Sequence, residues 1–108
     1  MKFIETNYFL SQLDILALKF PKIRFDYEEF KQWFDPTFSI SLWSGYYKER
    51  IKNSSVPTGK RWGFRIIVKV CDDKVIPLTI YSKNMKENIS FDEIKIALKN
   101  VIKELEKL

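Results

Sequence analysis

From Gly63 to Cys71 the chain alternates strictly: Phe64, Ile66, Val68 and Val70 take every second position, and Arg65, Ile67 and Lys69 stand between them. Successive side chains of an extended strand point to opposite faces, so this pattern predicts a β-strand with one apolar face and one face carrying cations. Such a strand needs partners, and the flanking segments supply them. Tyr47 to Lys52 repeats with a period of two, and Lys74 to Tyr81 returns after a turn at Asp72-Asp73, so short connections make the three strands an antiparallel meander. Asn53 to Lys60, with Ser54, Ser55, Pro57 and Gly59, reads as a loop, and Thr37 to Gly45 as irregular chain.

Elsewhere the period is helical. Phe9, Leu13, Leu16, Ala17 and Phe20 recur at helical spacing across Tyr8 to Phe20, closed by Pro21, after a short apolar start at Phe3-Ile4. A second helix begins near Phe25-Asp26, carries Tyr27, Phe30, Trp33 and Phe34, and ends at Asp35-Pro36; the two predict a helical hairpin with aromatic inner faces. Near the C-terminus Ser90 and Glu93 form an S-x-x-E capping box with Asp92 in the first turn. Ile94, Leu98, Val101, Ile102, Leu105 and Leu108 then repeat at three and four residues, while Lys95, Lys99, Lys103, Glu104 and Lys107 take other faces. That is a core-docking helix whose apolar stripe could partly serve a partner. The elements together place residues 1–108 in a single α+β domain, without internal repeats or low-complexity tracts.

A chain of 108 residues that is 45% apolar, with nine Phe, five Tyr and three Trp, has enough apolar area for one core and too little length for two. No apolar run approaches the roughly 20 residues of a membrane span, and Met1 to Leu10 contains Glu5 and lacks a secretion pattern, so the expected location is the cytoplasm, with no membrane partner. Cys71 is the lone cysteine and reads as strand filler. With no histidine, neither a zinc site nor a His-based catalytic pair can be assembled, and no metal or other cofactor is expected. The charge is lopsided. Residues 1–45 carry five Lys/Arg against six Asp/Glu, a net of −1, whereas residues 46–108 carry fourteen against eight, a net of +6. Seven of those basic residues fall between Tyr46 and Lys69, opposed by Glu49 alone. Such a block favours a polyanion through Coulomb attraction and counterion release; a merely solvated surface is the competing reading.

Alternation sharpens the placement of those cations. Lys48, Arg50 and Lys52 share one face of their strand, and Arg65, Ile67 and Lys69 share one face of theirs. If Phe64, Ile66, Val68 and Val70 pack under the helices, Arg65 is left on the opposite, open face. On the third strand Val75, Pro77, Thr79 and Tyr81 alternate with Ile76, Leu78 and Ile80, so Tyr81 joins this platform, with Lys83 and Lys86 just beyond it. RNA cleavage needs a deprotonated 2′-hydroxyl, a stabilised phosphorane and a protonated leaving oxygen. Arginine clamps phosphate bidentately, and lysine crowded by other cations can exchange a proton in place of histidine. Plain solvation of an exposed sheet face remains the alternative.

The motifs in order are Tyr47-Lys48-Glu49-Arg50-Ile51-Lys52-Asn53-Ser54, Gly59-Lys60-Arg61-Trp62-Gly63-Phe64-Arg65, Ile80-Tyr81-Ser82-Lys83 and Lys86-Glu87-Asn88-Ile89. Their order and spacing resemble the RelE/ParE superfamily of toxins from type II toxin-antitoxin systems, in its RelE/HigB-like branch, and the resemblance extends over essentially the whole chain. It implies a RelE-like β-α-α-β-β-β-α layout, with the helical hairpin and C-terminal helix packed on a twisted, mainly antiparallel sheet. It implies a metal-independent endoribonuclease that cuts mRNA, commonly on the ribosome, inhibits translation and is neutralised by a cognate antitoxin protein. Carried over by position, the catalytic residues are Lys48, Arg50, Arg65 and Lys83, and the RNA-binding residues are Lys52, Lys60, Arg61, Trp62, Lys69, Tyr81 and Lys86, with Tyr81 a base-stacking group. Three positions depart from the family pattern. No tyrosine follows Tyr81, where RelE carries a catalytic one; Trp62 replaces the second glycine of the turn, either to stack on a base or to pack on the neighbouring strand; and Glu49 takes a usually apolar position, as a general base, a salt-bridge partner or an edge-strand surface charge. Two other functions stay open on the same fold: a ParE-like inhibitor of DNA gyrase, and a non-catalytic RNA-binding protein.

Overall fold

The alternating segment becomes the centre of a sheet. The computed structural model describes residues 1–57 and 62–107. Among these the elements are β1 (Lys2–Phe3), α1 (Asn7–Ala17), α2 (Ile23–Trp33), a 3-10 turn (Pro36–Phe38), β2 (Ile40–Trp43), β3 (Tyr46–Ile51), β4 (Phe64–Cys71), β5 (Lys74–Ser82) and α3 (Phe91–Leu105). The strands lie in the order β1-β5-β4-β3-β2; β2 to β5 pair antiparallel, and β1 lies parallel to β5. The described chain is therefore α+β, with three α-helices and a five-stranded, mostly antiparallel sheet. No described helix is long and apolar enough to cross a membrane.

The apolar side of β4 packs as its pattern requires. Phe64, Ile66 and Val68 are fully buried against Phe9 and Leu13 of α1 and Ile23, Tyr27 and Phe30 of α2, each such side chain contributing roughly 1.5–3 kcal/mol by leaving water. The hairpin faces are aromatic as expected: Phe9 and Tyr27 lie 5.3 Å apart, Phe30 and Phe34 5.2 Å, and Phe3 of β1 meets Phe30 edge-on at 6.0 Å. Thr6 caps α1 by accepting from the Phe9 amide at 3.2 Å. Asp26, buried on α2, accepts from the Ser54 amide (2.9 Å) and hydroxyl (2.5 Å) and so ties the hairpin to the chain leaving β3. The helices are shifted from expectation, the first ending at Ala17 with a turn to Phe20 and the second starting at Ile23, which is fully buried.

Three expectations need correction. Residues Thr37 to Gly45 are not irregular: Ile40–Trp43 form β2, joined to β3 through Gly45 at φ +82°. The four-residue run, with Ser41 inside it, carries too little local pattern to announce a strand that exists because β3 pairs with it. Secondly, the sheet face opposite the hairpin is not open along its length. Ile67, pointing away from Ile66 and Val68, is buried with Leu78 beneath Ile94, Ala97 and Val101 of α3. Thirdly, β5 does not alternate uninterrupted. Thr79 pairs with Ile67 but Pro77 with Val68, so Leu78 is an extra residue and the strand changes face there. Val75 consequently packs in the hairpin core, whereas Leu78 and Ile76 join the α3 cluster. Gln12 of α1 repairs the bulge, its Oε1 accepting from the Thr79 hydroxyl (2.6 Å) and the Ile80 amide (3.3 Å).

Helix α3 starts on the expected capping box, Ser90 Oγ accepting from the Glu93 amide at 3.1 Å and Glu93 Oε1 from the Ser90 amide at 3.2 Å. Its buried face is Ile94, Ala97 and Val101, with Leu98 and Leu105 partly buried and Ile102 exposed; Leu108 lies outside the described residues. Near its other end Glu104 accepts from the amides of Asn7 (2.5 Å) and Tyr8 (3.1 Å), the first residues of α1. A carboxylate there satisfies orphan donors and complements the positive end of the helix. Glu104→Ala is expected to cost about 1–2 kcal/mol, read as a fall in the urea unfolding midpoint; an unchanged midpoint would remove Glu104 as the α3-to-α1 tie.

Candidate functional site

The part of the sheet face opposite the hairpin that α3 leaves uncovered is where the cations gather. One rung of the sheet places Arg50 of β3 beside Arg65 of β4 and Arg65 beside Tyr81 of β5. Neighbouring strands lie about 4.8 Å apart, so the three side chains stand in a row spanning about 10 Å. On the next rung Lys48 pairs with Ile67, and Lys83 follows directly after β5. Lys48, Arg50, Arg65 and Lys83 form one electrostatic unit. Partial burial, followed by the charges of Lys83, Arg65 and Arg50, holds the Lys48 amine below its ordinary value. Burial and then Arg50 lower Arg65, with Tyr81 acting the other way. A guanidinium stays protonated under such a shift, whereas a lysine moves toward proton exchange.

Arg65 is only 5% exposed, and its Nη1 donates to the Phe64 carbonyl at 3.3 Å. Together with Arg50, Lys83 and Trp62 it lines a cleft of about 600 Å³ completed by Asn84, Met85, Lys86 and Glu87. Trp62 lines this cleft and is 41% exposed. The Lys83 ammonium is steadied by the Glu87 carbonyl at 2.5 Å. Lys86 is ion-paired with Glu93, the capping-box residue of α3.

Other expected site residues fall elsewhere. Lys69 is four residues from Arg65, about 13 Å along the strand, and its amine lies against Tyr46, 3.3 Å from the hydroxyl and 5.1 Å from the ring centre. Lys52 is exposed beyond the end of β3, and Lys60 and Arg61 lie outside the described residues. Tyr81, expected to stack on a base, is 7% exposed and offers no open ring face; burial raises its hydroxyl pKa, with Arg65 opposing. Glu49 is neither on an edge strand nor in the cluster. It pairs with Ile66, so it points to the hairpin side, and its carboxylate accepts from the Ser39 hydroxyl and the Arg50 amide, each at 2.8 Å. Cys71 is exposed at the end of β4 rather than filling the strand.

The sequence pattern does not point to Asn84 and Met85, and it offers Glu87 only as part of the Lys86-Glu87-Asn88-Ile89 motif, with no site role. They belong to the turn between β5 and α3, where polar sequence carries no periodicity to betray a cleft wall. The arrangement is suited to a phosphodiester: two guanidiniums to share its non-bridging oxygens, two amines flanking them, and an indole at the rim. No protein-family model matches the chain, and comparison with curated proteins returns no match.

Proposed function

We propose that this chain is a RelE-like endoribonuclease, the toxin of a type II toxin-antitoxin pair, which cuts mRNA on the ribosome and is held inactive by its cognate antitoxin. The observation that carries this reading is the Arg50–Arg65 rung with Lys83 in a cleft lined by Trp62, and Lys48 on the same sheet face within the field of all three cations. The described element order, β-α-α-β-β-β-β-α with β2 ahead of the meander, supports this reading and differs from the β-α-α-β-β-β-α layout that the resemblance implies by one strand. In the proposed reaction the Lys48 amine takes the proton of the 2′-hydroxyl, and the 2′-oxygen attacks phosphorus. Arg50 and Arg65 hold the non-bridging oxygens as negative charge grows on them. Lys83 gives its proton to the departing 5′-oxygen, leaving a 2′,3′-cyclic phosphate on one fragment and a 5′-hydroxyl on the other.

The neutral amine of Lys48 is the active form, so the rate should follow its deprotonation and climb with pH. Cleavage of a model RNA is expected to rise about tenfold per pH unit and to level off below the ordinary lysine value of about 10.4. Lys48→Met should flatten that limb, and a native profile without it removes Lys48 as the base. The function is tested by inducible expression in a bacterium with primer extension on total mRNA. Growth arrest with new 5′ ends, absent for Arg65→Ala, is the expected result. Arrest with intact transcripts and damaged DNA would instead favour gyrase inhibition, and no arrest with salt-sensitive RNA binding would favour a non-catalytic binder.

A further inference from the structure

A second cleft adjoins the first. It has a volume of about 300 Å³, lies between α1, β5 and the start of α3, and shares Lys86 with the cationic cleft. Tyr8, Ile89 and Ile96 give it apolar walls, and Gln12, Thr79, Tyr81 and the Lys86–Glu93 pair bring polar groups to it. The Tyr81 hydroxyl is buried and has no hydrogen-bond partner among the described residues. A buried hydroxyl is normally paired, so an orphan lining a cleft marks a place where an incoming group completes it. Gln12 has spare capacity as well. Its oxygen is occupied by Thr79 and Ile80, but its amide nitrogen makes only a long 3.5 Å contact to the Leu78 carbonyl, leaving N–H donors available.

The same rung that sets Tyr81 beside Arg65 places this cleft one nucleotide's reach from the phosphate clamp. The groups left to satisfy can both donate: the Tyr81 O–H and the Gln12 amide N–H, whereas Lys86 and Glu93 neutralise each other at the cleft wall. Donors select an edge that carries acceptors. Guanine offers O6 and N7 and uracil offers O4, whereas adenine and cytosine present an exocyclic amino group at the corresponding place. We propose that this second cleft is a base subsite for the nucleotide next to the scissile phosphate, and that Tyr81 and Gln12 make it prefer keto bases, guanine and uracil, over adenine and cytosine. This rests on the ribonuclease reading and adds to it the origin of sequence preference.

The test is equilibrium binding of short oligoribonucleotides made uncleavable by a 2′-deoxy sugar at the scissile position and carrying each base in turn at the neighbouring position. The native chain, Tyr81→Phe and Arg65→Ala are compared. Tyr81→Phe removes one oxygen that has no partner among the described residues, so its unfolding midpoint should not fall. The native chain is expected to favour guanine and uracil about tenfold, Tyr81→Phe to lose most of that preference while keeping its salt dependence, and Arg65→Ala to lose affinity for every base alike. Native binding that Arg65→Ala abolishes, with no keto preference or with one that Tyr81→Phe leaves intact, overturns the base subsite and spares the ribonuclease reading. No native binding at all overturns both.

Discussion

Arg65→Ala is expected to slow RNA cleavage about 10²- to 10³-fold, the usual loss when one preorganised charge on a developing oxyanion is removed, while the unfolding free energy read from urea denaturation changes by less than about 1 kcal/mol. The pairing of those results follows from where Arg65 sits. It is almost fully buried, on a rung beside Arg50 and close enough to Lys48 to depress its amine. Removing it relieves charge crowding and desolvation, and this offsets the loss of packing by its aliphatic stem and of its hydrogen bonds, that to the Phe64 carbonyl among them. A residue kept for stability would show the opposite pattern. Arg65→Lys retains charge but not the planar fork, so its activity should fall between native and alanine. If Arg65→Ala unfolds the chain, the arginine is a structural element and the clamp loses its central member.

Gly63→Ala is expected to be strongly destabilising. A Cβ at Gly63 would sit 2.1 Å from the Ile51 carbonyl oxygen, 3.1 Å from its carbon and 3.3 Å from the Asn53 nitrogen. All three are backbone atoms, so no side chain can swing aside and β3 must move. On its other flank the Gly63 carbonyl accepts from the Lys83 amide at 3.0 Å, so the displacement reaches Lys83 too. Overpacking against backbone is expected to cost at least about 3 kcal/mol, a large part of the roughly 5–15 kcal/mol that holds a domain together. The measurement is a urea midpoint, with RNA cleavage assayed on whatever fraction remains folded. A Gly63→Ala protein of native stability would mean that β3 and β4 are not so closely apposed at this point.

About half of the candidate site is legible in the amino-acid sequence. Lys48, Arg50, Arg65 and Lys83 fall on one face because alternation is a local property of strands, and pairing brings them together. Lys69 shares that alternation yet stands apart, because parity assigns a face and says nothing of distance along it. Alternation also puts Tyr81 on the right face but misjudges its exposure. Its burial depends on α1 and α3, which meet β5 from remote parts of the chain.

By itself the sequence determined the central strand, its two meander partners, the aromatic hairpin and the capped start of α3, since each rests on a period or cap within a few residues. Tertiary structure alone decided that Ile40–Trp43 is a strand, that α3 closes part of the cationic face over Ile67 and Leu78, and that β5 changes face at its bulge. Those outcomes come from pairing and burial between distant segments. Pairing decides whether a four-residue run becomes a strand, and the extra residue Leu78 is favourable because α3 offers it a core and Gln12 satisfies the backbone it disturbs.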